Sequence, residues 1–156
     1  RLPQALFIAY RMVGNQKYLD AAKESMDFLL KTQMVKGVFV PIGNDGWYKR
    51  GGKRAFHDQQ PLEAAGMVET AIDAFYATKE VGYLKVANVI FEWFLGRNME
   101  NAMLYNPETG GCFDGLCQNS VNLNQGGESS VSYLLARLKL EELKISQKRS
   151  RKEISS

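Results

Sequence analysis

The sequence is poor in the side chains that build metal and redox centres. It holds one histidine, His57, and two cysteines, Cys112 and Cys117. A zinc site needs three or four ligands, and the histidine lies far from both thiols along the chain, so no metal and no other cofactor is expected. The two cysteines share one loop; nothing in their spacing demands a disulfide, and free thiols in a cytoplasmic protein are the expectation. No apolar run reaches the roughly 20 residues needed to cross a bilayer, and no signal-peptide pattern is visible. An initiator methionine is also missing: the chain opens on Arg1-Leu2-Pro3 and runs straight into a helical pattern, which suggests a fragment lacking its N-terminal part.

Charge of one sign is scarce too. The net charge is +3, and it resides in the tail, where Lys144, Lys148, Arg149, Arg151 and Lys152 face one acid, Glu153. The remaining body is close to neutral, which argues against nucleic acid as a partner. Residues 144–156 read as a basic, disordered C-terminal tail, and residues 1–143 as one domain.

Helical periodicity dominates what is present. Residues 3–13 end at Gly14-Asn15, a helix stop. Residues 16–34 place Tyr18, Leu19, Ala22, Met26, Leu29 and Leu30 at helical spacing. Residues 61–79 open on Pro61, which suits a first helical turn. Residues 83–95 and 127–143 complete the set; Trp93 reads as core. The pattern repeats. Tyr18-Leu19 recurs 65 positions later as Tyr83-Leu84, Ala22 as Ala87, Phe28 as Trp93, and Gln60 and Glu63 as Gln125 and Glu128. The unit is a helix, a short turn, a second helix and a long loop. Such a fold is all-α, a stack of helical hairpins in which short turns gather at one end and long loops at the other.

The two long loops, about residues 35–60 and 97–127, carry the polar and aromatic side chains on which chemistry would rest. In the first, Val38-Phe39-Val40 followed by Gly43-Asn44-Asp45-Gly46 predicts a small β-hairpin over 38–48. Trp47 and Tyr48 follow, then Arg50, Arg54, His57, Asp58 and Gln60. The second supplies Tyr105, Asp114, Asn124 and Gln125. Aromatic faces stack on sugar rings, and amide, guanidinium and carboxylate groups hydrogen-bond to vicinal hydroxyls. Asp58, Glu128, Glu63 and Asp114 are the candidate catalytic carboxylates. Trp47, Tyr48, Arg50, Arg54, His57, Gln60, Tyr105, Asn124 and Gln125 are the candidate substrate contacts. Bland readings stand beside these: Glu63 and Glu128 as first-turn acids favoured by the helix dipole, Asp58 as a helix cap, Trp47 as a loop cover, and the arginines as surface or ion-pairing residues.

The segments VFVPIGNDGWYKRGGKRAFHDQQPLEAAGMVETAIDAF, WFLGRN, LYNPETGGCFDGL and NLNQGGESSVSYLLA resemble the C-terminal helical region of prokaryotic glycosyltransferase-associated proteins. There a six-hairpin glycosidase-like toroid accompanies a sugar-nucleotide-dependent transferase domain. The resemblance spans roughly residues 1–140 and omits the basic tail; it departs at the small-residue run around Glu128 and at His57. It implies that the hairpins form part of an (α/α)6-type toroid. It also implies a carbohydrate ligand, and as partners a glycosyltransferase domain, the missing N-terminal half of the ring, or a second copy of the chain. An enzyme of this type would place an acid and a base across its cleft, roughly 6.5–9.5 Å apart if inverting. A non-catalytic glycan-binding or scaffolding module fits the same residues, and a ligand-free interaction solenoid is the third reading.

Overall fold

The computed structural model describes the backbone of residues 1–154 and the side chains of residues 1–146. Among the described residues it is mostly helical, with five α-helices and two small antiparallel hairpins. The helices are α1 (Leu2–Val13), α2 (Gln16–Gln33), α3 (Pro61–Thr78), α4 (Gly82–Phe91) and α5 (Gly127–Ile154); a 3-10 turn (Glu92–Phe94) extends α4. None of them is long and apolar enough to cross a membrane among the residues described.

Local chemistry sets most helix ends. At the head of α2, the Asn15 side chain accepts from the Lys17 amide at 3.0 Å, which satisfies one of the amides a helix start leaves open. At the end of α1, Gly14 takes a left-handed conformation, φ 68°, and its amide donates to the Tyr10 carbonyl at 2.8 Å. Lys79 closes α3 in the same way, with φ 64° and a 2.8 Å bond to the Phe75 carbonyl. These two caps lie 65 positions apart, the interval already seen in the sequence. Lys79 adopts without glycine a conformation that costs a side-chain-bearing residue about 1–2 kcal/mol.

α3 is the centre of the molecule. It packs against α1, α4 and α5, while α2 packs on α1. Small residues allow the close approach: Ala64, Ala65, Gly66, Ala71 and Ala74 are all buried, with Met67, Val68 and Ile72 between them. Trp93, Phe94, Phe7, Phe39, Met26, Ile90 and Leu104 complete the core. Each such side chain removed from water stabilises by roughly 1.5–3 kcal/mol.

The strands differ from expectation in place. β1 (Met34–Val35) pairs with β2 (Val38–Phe39), so the hairpin lies upstream of the one predicted over 38–48. Its two-residue turn, Lys36-Gly37, has φ of 50° and 79°, the paired left-handed geometry that matches strand twist. Residues 44–46 instead make a separate turn within the loop. A second hairpin, β3 (Gly115–Cys117) with β4 (Ser120–Asn122), turns at Gln118-Asn119, where Asn119 has φ 56°. No alternation of apolar residues announced it. α5 continues past the expected end at residue 143; most of the expected basic tail lies outside the residues whose side chains are described.

Candidate functional site

Two features of the first loop bring its end onto the second. Gln59 and Leu116 form a main-chain bridge. Beneath it, the Gln59 side chain is buried at 1% exposure. Its oxygen accepts from the Trp93 indole N–H at 2.8 Å, while its amide nitrogen donates to the Phe56 carbonyl at 2.7 Å. The result places the residues just before α3 beside those just before α5.

Asp58 and Glu128 therefore line one cavity of about 340 Å³, together with Gln60, Asp114, Asn122 and Ser129. Asp58 stands on the loop immediately before α3, with φ 59°, and its carbonyl accepts from the Asn44 amide at 3.0 Å. Glu128 is exposed in the first turn of α5. Asp114 is fully engaged. It accepts from Ser129 Oγ at 2.6 Å, from the Gly126 amide at 2.7 Å and from the Asn124 side-chain amide. The Ser129 hydrogen bond, followed by those from Asn124 and Gly126, holds its carboxyl below the usual range against a smaller opposing effect of burial. Asp114 is thus a fixed carboxylate that ties loop two to the head of α5.

A second cavity has a volume of about 290 Å³. It is lined by Ile42, Gly43, Asn44, Trp47, Tyr48 and Glu63. Trp47 is 65% exposed and has φ 57°, a strained geometry for a bulky residue. Tyr48 stacks on Phe28 of α2, rings 6.4 Å apart and 6° from parallel. Glu63 projects from the first turn of α3, and its Oε2 is buried with no hydrogen-bond partner. Burial pushes its carboxyl up to about 7, and the Arg54 charge only partly offsets this. Gly43 makes the neighbouring wall possible: a Cβ there would lie 1.7 Å from the His57 carbonyl oxygen.

The remaining candidates fall elsewhere. Arg54 is spent on the backbone: it donates to the Thr32 carbonyl, to Val40 O at 2.6 Å and to Pro41 O at 3.0 Å, and it lies 4.6 Å above the Phe56 ring. It clamps the end of α2 to the strand exit. His57 is half-buried and meets Gly43 through its main chain, and Arg50 is exposed; neither lines either cavity. Asn124 serves Asp114, and Gln125 accepts from Thr109 Oγ1 at 2.6 Å. Tyr105 stacks on Tyr133, centroids 4.5 Å apart, and lines a third cavity of about 430 Å³ with Val131, Leu134 and Arg137. Glu63 and Tyr105 therefore do not share the cavity of Asp58 and Glu128. Both cysteines are free thiols. Burial, and then the Asp114 charge, push the Cys112 thiol up to about 12, which keeps it in the protonated form near neutral pH.

Asn44, Asn122 and Ser129, outside the set of candidate contacts, also line the cavities, and Gln59 organises them. The adjacent pair Gln59-Gln60 was the available signal, but only burial distinguishes the structural glutamine from the one at the rim. Compared with protein-family models and with curated proteins, the chain matches none.

Proposed function

We propose that this chain is a carbohydrate-active module of the six-hairpin glycosidase type, forming part of an (α/α)6-type toroid and working beside a glycosyltransferase domain. The observation that carries this reading is the convergence of Asp58, on the first long loop, and Glu128, 70 positions on in the first turn of α5, on one polar cavity. An exposed tryptophan and a stacked tyrosine line a second cavity. Paired carboxylates beside aromatic faces suit glycoside chemistry, where one acid protonates the leaving oxygen and the other activates water or stabilises the developing charge. Asp58 and Glu128 are the pair for those roles. Asp114, with its oxygens already occupied, positions the loop. The exposed apolar residues of α1 (Leu2, Ile8, Met12) and of α5 (Val131, Leu134, Leu138) suit a module completed by further helices.

The test is Asp58→Asn and Glu128→Gln, made singly in the full-length protein and assayed for turnover on glycans that a glycan array shows to bind. A fall of about 100-fold or more in either variant supports the acid–base role. Unchanged turnover in both removes it. The second reading, a glycan-binding module without catalysis, is favoured by the exposed Trp47 face beside its cavity; glycan binding with no turnover in the unmodified protein selects it.

A further inference from the structure

We infer that the cavity lined by Trp47, Tyr48, Asn44 and Glu63 is a subsite for a single uncharged pyranose ring, stacked on Trp47 and held through a hydroxyl by the Glu63 carboxyl. The inference rests on the carbohydrate reading above and assigns that reading a ligand class. Four observations carry it. The space, about 290 Å³, is just below the usual range of ligand pockets, roughly 300–1,000 Å³, and it suits one ring rather than a chain. Trp47 presents its indole to solvent at 65% exposure, on a backbone held in the left-handed region, so the ring is displayed rather than packed away. Tyr48 is backed by Phe28, which gives the aromatic wall a fixed orientation. Glu63 Oε2 is buried without a partner, and a buried carboxyl oxygen left unsatisfied costs free energy that a ligand hydroxyl would recover.

The absence of charge on the ligand follows from the wall chemistry. None of the residues lining the cavity is cationic. The nearby Arg54 has its terminal nitrogens committed to three backbone carbonyls. A uronate or a sugar phosphate would meet the Glu63 carboxyl, and the nearby Arg54 charge is already set against that carboxyl.

The experiment titrates the full chain with the methyl glycosides of glucose, mannose and galactose, and with glucuronate as the anionic counterpart. Tryptophan emission and saturation-transfer NMR are the readouts. At least one neutral glycoside is expected to bind and to perturb Trp47. Trp47→Phe, which keeps a ring face, should retain binding; Trp47→Ala should abolish it. Glu63→Gln keeps an acceptor but removes the carboxylate and should weaken it about fivefold, the difference between a hydrogen bond to a charged group and one to a neutral group. No binding by any neutral glycoside, equal or tighter binding of glucuronate, or indifference to both Trp47→Ala and Glu63→Gln overturns the inference. A glycan array separates the two levels. Glycans retained by Trp47→Ala and Glu63→Gln leave the carbohydrate reading standing and sink the subsite; no glycan bound by the unmodified chain sinks the reading itself.

Discussion

Gln59 and Leu116 exchange two main-chain hydrogen bonds, of 3.0 and 2.9 Å, and this bridge fastens the first long loop to the second. The Gln59 side chain then reaches down to Trp93, the largest fully buried residue. The candidate site is therefore held by the core rather than by the loops alone.

Gln59→Leu keeps the bulk but leaves the Trp93 indole N–H and the Phe56 carbonyl without their partner. An orphaned buried polar group costs about 1–3 kcal/mol. With a shift of roughly 2–4 °C per kcal/mol for a chain of this size, differential scanning calorimetry should show a clear drop in Tm. A melting curve identical to that of the unmodified protein would contradict the role given to Gln59.

Gly43→Ala tests the wall of the second cavity. The added Cβ would fall 1.7 Å from the His57 carbonyl oxygen, a main-chain atom that cannot swing aside. The loss should exceed about 4 kcal/mol, in the exceptional range for a single change. Gly82→Ala is the control, since nothing lies within 4 Å of its Cβ position at the head of α4; it should be neutral or slightly stabilising. Urea midpoints of the two variants give the comparison.

Glu63 should make stability depend on pH in an unusual direction for a carboxylate. Its folded pKa is raised to about 7 from 4.5, so the folded state holds the proton more tightly than the unfolded one. Its contribution is greatest below the unfolded value, falls as pH rises from about 4.5 to about 7, and is flat above that. Glu63→Gln removes this slope. The variant should gain on the unmodified protein by about 1–3 kcal/mol between roughly pH 5 and pH 8. Denaturant unfolding of both proteins at the two pH values checks it, and a constant difference would refute it.

Asp114 predicts the opposite trend. Its carboxyl is held low, chiefly by Ser129, so its contribution is present above the ordinary carboxylate pKa and is lost as pH falls through the depressed value. Asp114→Ala should cost about 1 kcal/mol at neutral pH, as loss of a helix cap does, and should speed hydrogen exchange of the Gly126 amide it accepts from. Unaltered exchange at that amide would count against the capping role.

How far the site could be read from sequence depended on the range of the interaction. Asp58 and Glu128 were both identifiable as acids next to helix starts, because Pro61 and the helical pattern after Gly127 mark where α3 and α5 begin. Arg54 looked like a ligand contact and became a backbone clamp. The carbonyls of Thr32, Val40 and Pro41 converge on it only once α2 and the β1–β2 hairpin are in place. Glu63 and Tyr105 were grouped with the other candidates, yet each faces a separate cavity.

By itself the sequence determined the helices, their left-handed stop at Gly14, the 65-residue recurrence and the polar character of the long loops. All of these are short-range: periodicity, propensity and capping act within a few residues of one another. Tertiary structure alone decided that Gln59 rather than Gln60 is the buried anchor, that Asp114 is tied down while Glu63 Oε2 is left without a hydrogen bond, and that the acids divide between two cavities. Those outcomes depend on which polar groups meet after distant segments pack, and hydrogen-bond satisfaction and desolvation exist only in that assembled environment.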